Sequence, residues 1–169
     1  MEKQQGSPDR REFLKTATGA VGGALAIGFP AIISAQTVTN AIKVGLVGCG
    51  GRGTGAASQA LHADDYAELT AMADIVQSQI DHSLEVLGRN SKIAGQLKAE
   101  KANQFLGLDA YQKLIDSGVD VVLLATPPRF RPTHLAACVA AGKHIFCDKP
   151  CSTDAPALRS VLKSLDEPP

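Results

Sequence analysis

From Ile42 to Leu165 the chain alternates between short apolar runs and longer mixed stretches, the order produced when a strand followed by a helix repeats. Ile42-Lys43-Val44-Gly45-Leu46-Val47 reads as a first strand that breaks into a cluster of glycines. Thr54 to Leu61 is a short helix of small residues that lets it lie close to a sheet, and it ends before the polar His62-Ala63-Asp64-Asp65. Tyr66 to Ala73 is a second strand with Asp74 at its carboxyl end, and Ser78 to Leu87 a second helix. Gly88 to Gly95 is a loop, the pattern from Gln96 to Asn103 is ambiguous, and Gln104-Phe105-Leu106-Gly107 holds a short third strand. Tyr111, Leu114 and Ile115 fall on one face of a helix over 109–116, which Ser117-Gly118 stops.

Val119 to Ala125 is almost unbroken in aliphatic residues, as expected of a strand covered on both faces of a parallel sheet. Thr126-Pro127-Pro128 ends it, because proline has no N–H for a ladder and pushes its predecessor out of the helical region. Pro132 to Ala141 is the next helix, Gly142 its cap, and His144-Ile145-Phe146-Cys147 a fifth strand leading into Asp148-Lys149-Pro150. Thr153 and Asp154 offer helix-start chemistry before a final helix over 157–165. The alternation predicts an α/β fold on a parallel sheet. Aromatic residues make up 4% of the chain and tryptophan is absent, a balance that suits close helix-on-sheet packing better than a sandwich or barrel.

A chain of 169 residues has room for one ordinary domain but not for two of usual size. Its 17 Lys and Arg balance 17 Asp and Glu, so no overall field draws it to nucleic acid or to an anionic membrane face, and small-molecule chemistry fits better. Cys49, Cys138, Cys147 and Cys151 form no Cys-x-x-Cys pair, so neither a zinc site nor a redox pair is signalled and buried, inert thiols are expected.

The chemistry concentrates where the first strand breaks. Gly48, Gly50 and Gly53 stand at G-x-G-x-x-G spacing, in which the first glycine allows a tight turn, the second admits a pyrophosphate and the third lets helix and strand pack closely. The following helix then aims its first N–H groups at the phosphates. In a chain with 16 glycines such a spacing also arises as an ordinary glycine-rich turn. Asp74, 21 positions beyond Gly53, supplies the context: an acid there accepts hydrogen bonds from the adenosine ribose hydroxyls. The alternative for Asp74 is a helix N-cap paired with Gln77. No arginine follows closely in Ile75-Val76-Gln77-Ser78, so a 2′-phosphate has no evident partner, and NAD is expected rather than NADP.

Residues 1–40 read as an address. Asp9-Arg10-Arg11-Glu12-Phe13-Leu14-Lys15 resembles the twin-arginine export signal, and the chain from Thr16 to Ile42 carries no charge but is diluted by glycines and broken by Pro30. Export to the periplasm by the twin-arginine machinery is expected, with cleavage after Ala35; Ile33 departs from the small-residue preference three positions back. The alternative is an uncleaved membrane anchor. A cleaved chain has no stable membrane association.

Several motifs in order carry a second resemblance: the glycine loop, Asp74, Thr126-Pro127-Pro128, His134, Ala141-Gly142-Lys143-His144 and Asp148-Lys149-Pro150. Residues 41–165 resemble the Gfo/Idh/MocA oxidoreductases, whose N-terminal half is a Rossmann domain and whose members mostly transfer hydride between NAD(P) and a hydroxyl carbon of a sugar, inositol or related compound. The resemblance implies a Rossmann-type, doubly wound parallel sheet over 41–169, incomplete at its C-terminal edge. It implies that the loop Gly48, Cys49, Gly50, Gly51, Arg52 and Gly53 binds the pyrophosphate, Asp74 the ribose, and the Thr126-Pro127 turn, Asp148 and Lys149 line the cofactor. Lys149 corresponds to the lysine of the family's Glu-Lys-Pro motif, with Asp148 in place of the glutamate. An ammonium there can polarise a substrate hydroxyl or move its proton. His134 either approaches the nicotinamide or packs where helix meets loop. No metal is implied. Family members of this kind continue into a substrate-binding α/β domain that often builds a homo-oligomer, so the chain is expected to be an N-terminal fragment. A glycosidase branch that uses NAD transiently, and a non-catalytic nucleotide-binding module, are the alternatives.

Overall fold

The computed structural model describes residues 41–166, so the twin-arginine motif and the expected cleavage site lie outside the described residues. Five strands, β1 (Ile42–Val47), β2 (Ala67–Asp74), β3 (Gln104–Leu106), β4 (Val121–Leu124) and β5 (His144–Cys147), make one sheet in the order β3-β2-β1-β4-β5. Every pairing is parallel. Helices α1 (Gly51–Ala63), α2 (Gln77–Gly88), α3 (Ala110–Asp116), α4 (Arg131–Ala140) and α5 (Ala155–Asp166) supply the cover. The chain runs outward from β1 through β2 to β3, then crosses back to β4 on the other side of β1. The strand order therefore reverses between β1 and β4, and the crevice beyond the carboxyl ends of these two strands is where an open α/β sheet receives ligands.

Apolar side chains are buried on both faces, as continuous aliphatic strands require. On one face Val44, Leu46, Leu69, Met72 and Leu123 pack with Ala56, Ala57 and Leu61 of α1 and Ile80 and Leu87 of α2. On the other, Val47, Ala71, Ala73, Val122 and Leu124 pack with Leu114 and Ile115 of α3, Leu135 and Cys138 of α4 and Val161 of α5. The sheet is thus doubly wound. Gly45 has a packing role that its strand position does not announce: a Cβ there would lie 2.6 Å from the Leu114 Cδ2, so its lack of a side chain seats α3 against β1.

The elements follow the hydrophobic pattern, with shifts at their ends. Helix α1 begins at Gly51, three residues earlier than its small apolar residues indicate, because its first turn is set by contact with β1 and not by propensity. Two turns of 3₁₀-helix lie between α2 and β3, Ala94–Gln96 at the end of the expected loop and Lys101–Asn103 within the ambiguous stretch. The Gln96 side chain donates from Nε2 to the carbonyls of Leu61, Asp64 and Ala67, at 3.0, 2.9 and 2.8 Å, tying down the exit of α1. Asp154 accepts the Ala157 N–H at 2.8 Å, the helix-start role expected of it for α5. Cys49 and Cys138 are buried, and burial pushes both thiols up to about 12, so they are inert packing groups at neutral pH.

At the end of β1 the backbone itself is the constraint. Gly48 has φ +92°, and a Cβ on it would sit 2.9 Å from the backbone of Ala125 and Thr126. Gly48→Ala is therefore expected to lower stability by about 2–4 kcal/mol, read as a shifted urea midpoint with unchanged slope.

Candidate dinucleotide site

The loop between β1 and α1 is shaped by three glycines with different surroundings. Gly48 needs its left-handed backbone to turn the chain out of the strand. A Cβ on Gly53 would collide with the Gly48 carbonyl oxygen, so only glycine lets the first turn of α1 lie against the end of β1. Gly50, the N-cap of α1, has nothing within 4 Å of its Cβ position. The fold would tolerate a side chain there, and the space is open to solvent or to a ligand. The first intrahelical bond runs from the Thr54 N–H to the Gly50 carbonyl at 2.9 Å. The N–H groups of the turn before it have no helical acceptor, which makes this end of α1 a seat for an anion.

Asp74 closes the loop from the side. Its Oδ2 accepts the Cys49 N–H at 2.7 Å and its Oδ1 accepts the Val76 N–H at 3.0 Å. The N-cap of α2 is Val76, without a side-chain cap, so Asp74 is not the cap itself; its carboxylate braces the glycine loop with one oxygen and the entry to α2 with the other. Cys49 itself points inward, its thiol donating to the Ala73 carbonyl at 3.6 Å. From the other flank, the Thr54 hydroxyl lies 3.0 Å from the Gly50 carbonyl and 2.9 Å from the fully buried Ser83 hydroxyl, linking α2 to the loop.

Across the crevice, two turns leave β4 and β5 and are joined by a residue that the motifs do not include. Arg131, the first residue of α4, is 4% exposed. Its Nε donates to the Thr126 carbonyl at 2.6 Å, and its Nη1 to the carbonyls of Asp148 and Pro150, both at 2.7 Å. Its Nη2 lies 3.6 Å from the Asp148 carboxylate, which also pairs with Arg52 at 3.2 Å. Arg52, in the first turn of α1, lies half-exposed over the Phe146 ring, 5.7 Å from its centroid. The Lys149–Pro150 peptide is cis.

His134 is buried on α4 with its Nδ1 3.2 Å from the Thr126 hydroxyl, and it stacks on Tyr111 at 4.2 Å between ring centroids and on Phe130 at 6.2 Å. Burial holds its pKa below the ordinary 6.5, so the ring is neutral at physiological pH. A pocket at the carboxyl edge is lined by Gly48, Asp74, Leu108, Tyr111, Thr126 and His134, among others. The structure thus gathers the glycine loop, Asp74, the Thr126-Pro127 turn and His134 in one place. Lys149 is exposed just past the end of β5 and, unlike His134, is not among the residues that line that pocket. Among the described residues no set of three His, Cys, Asp or Glu side chains converges on a metal site.

These surroundings fit an NAD molecule. The open Gly50 and the α1 terminus match a pyrophosphate, Asp74 keeps lone pairs for ribose hydroxyls, and the exposed Ile75 and Leu108 offer an apolar surface for a base. Arg131, Tyr111 and Ser83 escaped the motif reading. In sequence, Tyr111 is only one position on an apolar helical face.

Two measurements check this geometry. Gly50→Val should fold with near-parental stability yet lose the thermal shift that NAD gives the parent. In an NMR titration the His134 imidazole should protonate with a midpoint below 6.5. Since its folded value is lowered, the unfolded chain takes up the proton first. The stability this implies is present above about pH 6.5 and is lost as pH falls below it, and His134→Gln should flatten that part of the stability profile.

The comparisons with known proteins agree with the geometry. The Gfo/Idh/MocA family, described as an oxidoreductase family with an NAD-binding Rossmann fold, matches residues 42–168. The myo-inositol 2-dehydrogenase of Thermotoga maritima is 31% identical over 126 residues, 75% of this chain and 32% of that protein. A glycosyl hydrolase family 109 protein of Shewanella pealeana is 26% identical over 161 residues, 84% of this chain and 33% of that protein. The WlbA dehydrogenase of Chromobacterium violaceum, solved in complex with NADH and UDP-GlcNAcA, superposes with a TM-score of 0.59 at 28% identity, over 83% of this chain and 35% of that one. The chain spans about a third of the length of the relatives it matches. Residues 42–168 make this chain a member of the Gfo/Idh/MocA oxidoreductase family, and the part described is its NAD-binding Rossmann domain.

Proposed function

We propose that this chain provides the cofactor half of an NAD-dependent oxidoreductase acting on a hydroxyl-bearing carbon of a sugar, an inositol or a related compound. The observation that carries the reading is the convergence, at the point where strand order reverses, of the α1 terminus, the Asp74 carboxylate and the turns after β4 and β5. The names of the relatives support the substrate class, since one is a myo-inositol 2-dehydrogenase and another was solved with a nucleotide sugar.

When bound, NAD supplies a ring carbon that accepts or returns a hydride. The residues of this chain bind and orient. Gly50 and Gly51 leave room for the pyrophosphate at the α1 terminus, and Arg52 is near enough to the same turn to offset its charge. Asp74 accepts from the ribose hydroxyls, and the lack of a cation in Ile75-Val76-Gln77 favours NAD over NADP. Lys149, solvent-accessible at the end of β5, handles the proton of the substrate hydroxyl. His134 is given a different task. Neutral, stacked on Tyr111 and directed at Thr126, it holds the cofactor-lining turn and takes no part in proton transfer.

The second reading is the alternative named with the family resemblance, a glycosidase that uses NAD without net consumption, and the name of the Shewanella pealeana relative, a glycosyl hydrolase, favours it. Protein expressed from its full reading frame and given NAD with a panel of inositols and sugars should accumulate NADH. The Lys149→Ala variant should lose about 100-fold or more in kcat while its affinity for NAD stays within about threefold of the parent's. Unchanged turnover would remove Lys149 from the reaction, and cleavage of a glycoside with no net NADH would favour the second reading.

A further inference from the structure

We infer that Arg131 is the positioning residue for Lys149, its guanidinium fixing the turn after β5 to the turn after β4 so that the fold itself places the lysine at the crevice. The inference rests on the role proposed above for Lys149 and adds how that residue is held.

Arg131 stands where local rules disfavour it. It is the first residue of α4, where the helix already presents partial positive charge, and it is almost fully buried. A buried cation against a helix dipole persists when its bonds are needed elsewhere, and three of its four contacts are to main-chain carbonyls of other turns. Two of these, from Asp148 and Pro150, meet on the single nitrogen Nη1 and flank Lys149 on either side. The backbone that carries the lysine is therefore gripped before and after it. The third, from Thr126, ties the same guanidinium to the cofactor-lining turn.

Little else described does this work. β5 is an edge strand of the described sheet, and its last rung is the bond from the Asp148 N–H to the Leu124 carbonyl at 3.0 Å. Just beyond that rung Lys149 and Pro150 are exposed. A lysine at position 131 could not replace the fork: a single ammonium on a flexible stem has no rigid pair of arms to span Thr126 on one side and Asp148 with Pro150 on the other. Asp148 contributes charge, but its longer contact with Nη2 and its sharing with Arg52 leave the carbonyl bonds as the stronger hold. The groups assigned to the pyrophosphate and the ribose, the α1 terminus and Asp74, make no bond to Arg131, which reaches the cofactor-lining part only through the Thr126 carbonyl and the shared Asp148 carboxylate. Loosening Arg131 should therefore disturb the placing of Lys149 much more than the affinity for NAD.

The test compares the parent with Arg131→Lys. NAD affinity, by calorimetry, should agree within about threefold. Lysine labelling by an amine-acylating reagent, read by mass spectrometry with exposed Lys98 as internal reference, then reports placement. With NAD at about ten times its Kd, a Lys149 held beside the bound dinucleotide should label about tenfold more slowly in the parent, and less than about twofold more slowly in Arg131→Lys. In turnover the variant should lose about 100-fold in kcat with little change in KM for NAD. A variant that binds NAD and shields Lys149 as the parent does would overturn the inference alone. A parent that binds NAD without shielding Lys149 would overturn the lysine's role and this inference with it, and a parent that binds no NAD would overturn the cofactor reading itself. Should Arg131→Lys not fold, side-chain N–H exchange in the parent decides: Arg131 should exchange at least about tenfold more slowly than half-exposed Arg52, and equal rates would show that the grip does not exist.

Discussion

The carboxyl edge of this domain depends on one contact, the closeness of Gly53 to the carbonyl of Gly48. Without it α1 could not begin where β1 ends, and its first turn would tilt away from the crevice. The same approach brings the Cys49 N–H within reach of Asp74 and the Thr54 hydroxyl over the Gly50 carbonyl. Strand, loop, helix and neighbouring strand are thereby fixed to each other by backbone groups and by two short, held side chains, those of Asp74 and Thr54. The result is an anion seat whose donors already point the right way before any ligand arrives, and a preorganised seat binds more tightly because less has to be ordered on binding.

The second organising element is electrostatic. Arg52 and Arg131 share the one carboxylate of Asp148, so this cluster keeps a net positive charge although the whole chain is neutral. The two cations differ in kind. Arg131 is committed to carbonyls in the interior, whereas Arg52 is half-exposed and screened by solvent, so its ion pair is weak and its charge remains open to an anionic ligand. A neutral protein can in this way present a local field where a dinucleotide's phosphates lie.

Much of the fold was legible in the chain because buried strands must be apolar, and Val121 to Leu124 or Ile42 to Val47 can hardly be read otherwise. Helix starts were less legible. Three glycines discourage a helix at Gly51, and only the tertiary contact with β1 overrides their low propensity. The 3₁₀ turns around Gln96 have no period to detect, and the job of Gln96 is set by carbonyls some 30 residues away. In the site, glycine spacing and Asp74 announced themselves because their chemistry is local to one strand-turn-helix unit. Arg131 did not. An arginine beside Pro132 reads as a solvated surface charge, and its acceptors lie 5, 17 and 19 residues distant. His134 is compatible in sequence with two readings, and its placement against the rings of Tyr111 and Phe130, at the wall of the pocket, depends on residues that belong to none of the motifs.

Under the proposed function, Asp74 has two tasks for one carboxylate. The group that would discriminate between cofactors also accepts the Cys49 N–H, which otherwise stands without an acceptor inside a part-buried loop. Any change of cofactor preference made by replacing this acid leaves that donor unpaired, a loss on the order of 1–3 kcal/mol. Preference for the cofactor and integrity of the loop are therefore inherited together. A lineage drifting from one dinucleotide to the other would first have to acquire a substitute acceptor for Cys49, and the order in which those mutations arise is constrained by a single hydrogen bond.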